Sequence, residues 1–339
     1  MASLTTASTA SNAVSREDGL LLCLGVIADV QYADCDDAYD FGGKRRRYYR
    51  ASLEKLRSAV EAWKSHGAQC SVQVGDLIDG RCARLGKSHA CLQQTLDVLR
   101  EAPSPLFHLI GNHELYNFPR EELCSPNGSW YGIDEQRKHG IFYHKKVVHG
   151  VMLIFLDAYA VSIMNGETAA STAEARSLLA SKNPNSQQIG VDWTAGLSKE
   201  NLKYLPYNGK FGETQLDWLR RELESIDAQD SGLPAIVFSH VSFCPGSCAP
   251  SCQTWDNVEA LQIVQASKSV MCCVYGHAHR GGYHQDECGI HHITLASPLE
   301  ARQPTHGVLQ VYKDHAELLG WGNVPSRSMI FRDANSSKI

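Results

Sequence analysis

The sequence predicts an α/β protein. Short apolar runs rich in β-branched residues recur along it, segments of helical period lie between several of them, and five of the runs end in residues able to bind a metal. The runs are LLCLGVIAD (21–29), CSVQVGD (70–76), PLFHLIGN (105–112), VVHGVMLIFLD (147–157), AIVFSH (235–240), VMCCVYGH (270–277), HHITLAS (291–297) and GVLQVYKD (307–314). Unbroken apolar runs suit strands buried on both faces, since half-exposed strands alternate. Over 48–63, Tyr49, Leu53, Leu56, Val60 and Trp63 share one helical face, and Gly67 closes the helix. Leu216, Leu219, Leu223 and Ile226 do the same over 213–227, with Pro234 beyond the end, and 258–266 gives a third helix. Alternating strand and helix define the class.

Composition bounds the rest. The chain has 339 residues, 43% hydrophobic and 20% charged, which suffices for a large core and excludes global disorder. A net charge of −5 argues against nucleic acid as a partner, and no apolar run approaches the ~20 residues that span a bilayer. Twelve cysteines are too sparse for a disulfide scaffold in a chain of this size. Residues 1–19 are small and polar, without the basic start and apolar centre of a secretory signal. They are expected to form a tail, and the chain to be a cytoplasmic monomer. Residues 158–212 have little periodic apolar character and are expected to be an insertion within one domain spanning 20–325, followed by a tail over 326–339.

Five strand ends carry the chemistry. They read Asp29-Val30-Gln31, Gly75-Asp76 with Asp79 three residues on, Gly111-Asn112-His113-Glu114, Ser239-His240, and Gly276-His277-Ala278-His279. Open α/β sheets place their sites outside the carboxyl ends of the strands, so these tips should converge. The glycine before Asp76, Asn112 and His277 permits a sharp turn and close approach. Any one motif alone also fits an ordinary turn. Five together, in a mixed Asp/Asn/Gln/His palette, point to a metal site.

This series resembles the calcineurin-like metallophosphoesterase superfamily over residues 29–279, and Gln215-Leu216-Asp217-Trp218-Leu219 resembles a helix common in it. The resemblance implies a four-layer αββα sandwich, two mixed sheets flanked by helices. It implies two divalent ions, with Asp76 bridging, Asp29, Gln31 and His279 completing one site, and Asn112, His240 and His277 the other. It places His113 as general acid or electrostatic stabiliser, oriented by Asp79. The superfamily usually has His where Gln31 stands. The D-x-Q start is similar to that of the manganese-dependent ADP-ribose/CDP-alcohol diphosphatases, and an amide oxygen, harder than imidazole, favours Mn²⁺ or Mg²⁺ over Zn²⁺. That family implies hydrolysis of a phosphoanhydride in a small nucleotide substrate such as ADP-ribose, CDP-choline or CDP-glycerol. A cyclic-nucleotide phosphodiesterase or phosphomonoesterase would use the same centre, and a module that kept the fold but lost the metals would lack several of these ligands.

Other residues are candidates for substrate contact. Lys44 to Arg47 either start a solvated helix or send Arg47 toward phosphate. Phe41, Tyr39 and Tyr48 either stack on a base or join the core. Cys244, Cys248 and Cys252 share a loop after His240, where Cys252 could touch a nucleobase; their spacing is poor for structural zinc.

Overall fold

The computed structural model describes residues 19–40, 42–124, 142–229 and 232–332. The chain begins with β1 (Leu20–Ile27), a small hairpin of β2 (Ala38–Tyr39) and β3 (Arg46–Arg47), then α1 (Ala51–Ser65) and β4 (Cys70–Gln73). Next come α2 (Arg81–Arg84), α3 (Ser88–Leu99), β5 (Leu106–His108), α4 (Asn112–Asn117) and α5 (Arg120–Cys124). The middle holds β6 (His144–Val148), β7 (Val151–Leu156), α6 (Ala170–Lys182) and α7 (Glu213–Ala228). It continues with β8 (Ala235–Ser239), α8 (Asn257–Ala266), β9 (Val270–Tyr275) and β10 (Arg280–Gln285). The last strands are β11 (His291–Ala296), β12 (His306–Tyr312), β13 (His315–Trp321) and β14 (Arg327–Ile330). No helix among the described residues is long and apolar enough to cross a membrane.

Two six-stranded sheets form, in the orders β14-β13-β12-β1-β4-β5 and β10-β11-β9-β8-β7-β6. The first is parallel over β1-β4-β5, out to its β5 edge, and antiparallel over β14-β13-β12-β1; the second has a parallel centre, β7-β8-β9-β11, with antiparallel edge strands β6 and β10. The alternation within β1 shows the layering. Leu22, Leu24 and Val26 join Val72, Phe155, Phe238 and Val274 between the sheets. Cys23 and Ile27 face the other way, among Leu56, Val60 and Trp63 of α1 and Leu92 and Leu96 of α3. Leu219, Leu223 and Ile226 of α7 and Val264 of α8 cover the outer face of the second sheet. These are the four layers of an αββα sandwich.

Three segments differ from the expectation. The run 147–157 is a hairpin rather than one strand, because His149 and Gly150 take left-handed φ values of 47° and 80° between β6 and β7. The segment 327–330, expected in a tail, pairs with β13 from Ile330 opposite His315 to Arg327 opposite Leu318. The stretch 158–212 contains α6 and is tied at its base, where Val161 and Lys210 exchange backbone hydrogen bonds of 3.0 and 3.1 Å. Residues 1–18 and 333–339 lie outside the described residues.

Candidate metal centre

The carboxyl ends of β1, β4, β8 and β9 and the start of α4 bring the predicted ligands together. The backbone N–H of His277 donates to Asp29 Oδ2 at 2.8 Å, and that of His113 donates to Asp76 Oδ1 at 2.8 Å. The approach is too tight for side chains at the preceding glycines. A Cβ on Gly111 would lie 2.0 Å from Asp76 Oδ1, and one on Gly75 2.3 Å from His240 Nδ1. Among the described residues, five other than glycine have a left-handed φ, and four of them are Asp29, Gln31, Asp76 and His277. Such strain persists only where the surroundings impose it, and it clusters at functional sites.

Two of the histidines have their tautomers set by their outer partners. His240 Nδ1 lies 2.8 Å from the carbonyl oxygen of Val74, so it donates there and leaves Nε2 bare, 3.4 Å from Asp76 Oδ2. His279 Nδ1 donates to Glu300 Oε1 at 2.8 Å, so its Nε2 is the accepting nitrogen, 3.0 Å from Gln31 Nε2 and 3.6 Å from Asp29 Oδ1. Asp29 Oδ1, Gln31 Oε1 and His240 Nε2 are buried with no hydrogen-bond partner. Buried polar atoms are rarely left so. Here Asp29 Oδ1 and His240 Nε2 lie at the cluster, where ligand atoms of Asp76, His240 and His277 fall within 4.8 Å of one another. Converging lone pairs on oxygen and imidazole nitrogen are the donor set of a divalent cation, so the residues fit a metal centre.

The charges are strongly coupled. Burial lifts the Asp29 carboxyl to about 6 against the pull of His240 and His279. Burial acts on Asp76 too, but His240 and His113 outweigh it and hold the carboxyl below its ordinary range. Burial would lower His240, yet Asp76 and Asp29 raise it to about 9, so its inward Nε2 attracts a proton or a metal cation alike. Burial and then the His240 charge drive His277 well below its usual value.

Gln31 is turned the opposite way from the expected ligand pose. Its Nε2 donates to Asp76 Oδ2 at 2.9 Å and lies 3.0 Å from His279 Nε2, while Oε1 is the partnerless end. His113 is beside Asp76, with Nε2 3.9 Å from Asp76 Oδ2. Its Nδ1 accepts the Gly80 N–H at 2.8 Å, which places the ring proton on Nε2, the nitrogen nearer Asp76. Asp79 therefore does not hold the ring by the expected hydrogen bond: its Oδ2 is 3.3 Å from Nδ1, and its Oδ1 accepts from the Arg81 N–H at 2.8 Å.

The proposed substrate contacts are more scattered. Arg47 pairs with Glu300 at 3.3 Å, so it reaches His279 through that carboxylate. Tyr48 carries the Lys55 ammonium 4.9 Å from its ring centre, Tyr39 is exposed, and Phe41 lies outside the described residues. Cys252 is in a short turn at 250–252, and Cys248 Sγ contacts its carbonyl at 3.4 Å. The three loop cysteines form no metal-ligating group among the described residues.

Two residues without a role in the sequence reading prove central. Glu114 is fully buried, and its carboxylate accepts the N–H groups of Gly111, Asp76 and Leu77 at 2.7, 2.8 and 2.7 Å. Burial and then the Asp76 charge raise it to about 7 in spite of those bonds. A glutamate three residues after a helix N-cap is a capping-box signal that could have revealed it. Glu300 gathers His279, Arg45 and Arg47, and nothing local in the sequence marks it.

A sandwich of two mixed sheets with clustered Asp, Asn and His at its strand tips defines a class of metal-dependent phosphoesterase. The chain matches the calcineurin-like phosphoesterase family over residues 24–281 and belongs to it. It is a hydrolase. Curated relatives named manganese-dependent ADP-ribose/CDP-alcohol diphosphatase include one from Homo sapiens, 32% identical over 94% of this chain and 96% of its own length. Another, from Oryza sativa subsp. japonica, is 36% identical over 94% and 97%. A crystal structure of a dimetal phosphatase from Danio rerio superposes with a TM-score of 0.85 at 31% identity, covering 92% of this chain and all of that one.

Proposed function

We propose that this phosphoesterase cleaves the phosphoanhydride of ADP-ribose and of CDP-alcohols, releasing AMP or CMP and the phosphorylated remainder. The observation that carries the reading is the pair of buried, partnerless atoms Asp29 Oδ1 and His240 Nε2 beside the cluster of Asp76, His240 and His277. The names of relatives that match almost the whole chain support the substrate class and manganese. Asp29, Gln31, Asp76 and His279 would hold one ion, and Asp76, Asn112, His240 and His277 the other. Gln31 would serve through Oε1 after a half-turn of its amide. Two such ions neutralise charge on a diphosphate and make a water nucleophilic at neutral pH.

The chain's own groups supply orientation and a proton. His113 donates from Nε2 to the leaving phosphate oxygen, its Nδ1 held by Gly80 N–H. Asp79 Oδ2, 3.3 Å from that ring, stabilises charge on it without taking the hydrogen bond. Glu114 locks the loops of Asp76 and Asn112 in register through its three N–H contacts. Arg47 lies on the His279 side, suited to a substrate phosphate. The Tyr207 ring, 5.7 Å from that of His277, offers a face for the base. The eleven cysteines whose side chains are described are free, in keeping with the cytoplasmic setting proposed for the chain.

The test is product analysis with Mn²⁺, Mg²⁺ and Zn²⁺ supplied separately. AMP from ADP-ribose and CMP from CDP-choline, fastest with Mn²⁺, is expected. Faster turnover of a phosphomonoester or cyclic nucleotide would overturn the assignment.

A further inference from the structure

Asn208 lies in the insertion, near Lys210 of the backbone tie at its base, and is fully buried. Its Nδ2 donates to two backbone carbonyls, Lys203 O and Ser251 O, each at 2.9 Å. Carbonyls only accept, so these bonds fix which end of the amide is which. The other end, Oδ1, is 2.9 Å from His277 Nε2. An amide oxygen also only accepts, so Nε2 carries the ring proton and Nδ1 is bare. Nδ1 in turn lies 3.1 Å from Asn112 Oδ1, which already accepts from the Tyr159 hydroxyl at 3.1 Å. Two acceptors therefore face each other beside Asp76 and His240.

We propose that Asn208 is a positioning residue: it selects the Nε2–H tautomer of His277 and thereby presents Nδ1 to the ion held with Asn112, His240 and Asp76. The proposal deepens the two-ion reading and rests on it. It also gives the insertion a purpose. His240 and His279 are tied at Nδ1 and present Nε2, whereas His277 presents the opposite nitrogen and needs its acceptor on the far side of the ring. The insertion brings that acceptor, and through Ser251 the same amide joins the cysteine loop to the centre.

The test compares Asn208→Leu, which removes acceptor and donors, with Asn208→Asp, which keeps an acceptor and loses the donors. Mn²⁺ binding is followed by the paramagnetic resonance of the free ion, and the His277 tautomer by ¹⁵N NMR of histidine-labelled, metal-free protein. In the wild type, two ions bind and His277 is the Nε2–H form. Asn208→Leu is expected to weaken one ion about 10- to 100-fold, the usual effect of removing an outer partner, and spare the other. Asn208→Asp is expected to keep both affinities within a few-fold. A merely structural role makes Asn208→Asp at least as damaging as Asn208→Leu, because a carboxylate cannot donate to the two carbonyls; that result overturns the proposal. Wild-type His277 in the Nδ1–H form overturns it without any variant. Two ions bound with unchanged affinities in Asn208→Leu overturn the role of Asn208 alone, whereas a wild type that binds fewer than two overturns the two-ion reading and this proposal together.

Discussion

His113 is the one imidazole of the cluster whose ring proton points inward while its other nitrogen accepts from a backbone N–H. This arrangement suits a proton donor and not a ligand. His113→Ala should keep both metals and lose roughly 10²–10⁴ in kcat on ADP-ribose, the scale of acid–base assistance. A p-nitrophenyl ester, whose leaving group needs no proton, should be spared part of that loss. Equal damage to both substrates, read from parallel kcat measurements, would instead make His113 a support for Asn112. At this scale the sequence was legible where the signal is local. A glycine followed by Asp, Asn or His at the end of an apolar run marks Asp76, Asn112 and His277 because close packing excludes a Cβ there. Glu300 and Asn208 were not legible, since each meets its histidine only after the chain has folded across the sheet tips. The direction of the Gln31 amide was not legible for the same reason: it depends on Asp76 and His279 together.

At the scale of elements, the helices that cover the sheets were readable from period alone: α1, α7 and α8 sit within three residues of their expected bounds. The strands missed were the short β2 and β3 and, in the large sheets, β10, β13 and β14, whose half-buried or polar faces lack an unbroken apolar run. Helix α1 packs on β1 through Trp63, whose ring fills the space above Gly25. A Cβ there would lie 2.3 Å from two ring atoms, and the indole is anchored by donating to Gly307 O at 3.0 Å. Gly25→Ala should therefore cost about 1–3 kcal/mol, the usual penalty of overpacking, without touching the site. An unchanged urea midpoint would show that the indole can move aside. On β12, His306 is buried, stacks on Trp321 of β13 at 4.9 Å, and has no partner for either ring nitrogen. Burial, then the His66 charge, lowers it from 6.5 to about 4. Between those values the unfolded chain binds the proton and the folded one does not, so stability falls as pH drops through that window. His306→Phe should flatten the loss, measured as the urea midpoint at pH 7 and at pH 4.5; an equal drop in both proteins would assign acid sensitivity elsewhere.

Across the whole molecule, the centre lies where the two sheets meet. Asp29 and Asp76 follow strands of the first sheet, and His240 and His277 follow strands of the second. The contacts that join them are carboxylate–imidazole pairs at 3.4 and 3.6 Å, with Asp29 Oδ1 and His240 Nε2 buried and without a hydrogen-bond partner, so the carboxyl ends of the sheets meet over unsatisfied polar atoms. An ion there couples the two layers, and its binding free energy adds to that of folding. At a hundredfold excess over Kd one site contributes about 3 kcal/mol, a rise of roughly 5 °C in Tm for a chain of this size. Mn²⁺ should therefore raise Tm, and a chelator should reverse the rise. Among the described residues, Asp76 is the only carboxylate that approaches both His240 and His113 while bonded to Gln31. Asp76→Asn should then lose the Mn²⁺-dependent rise together with nearly all activity, although it removes a buried charge and need not lower the metal-free Tm. Scanning calorimetry of both proteins, with Mn²⁺ and with chelator, separates the outcomes. A full Mn²⁺-dependent shift in the variant would place the shared ligand elsewhere.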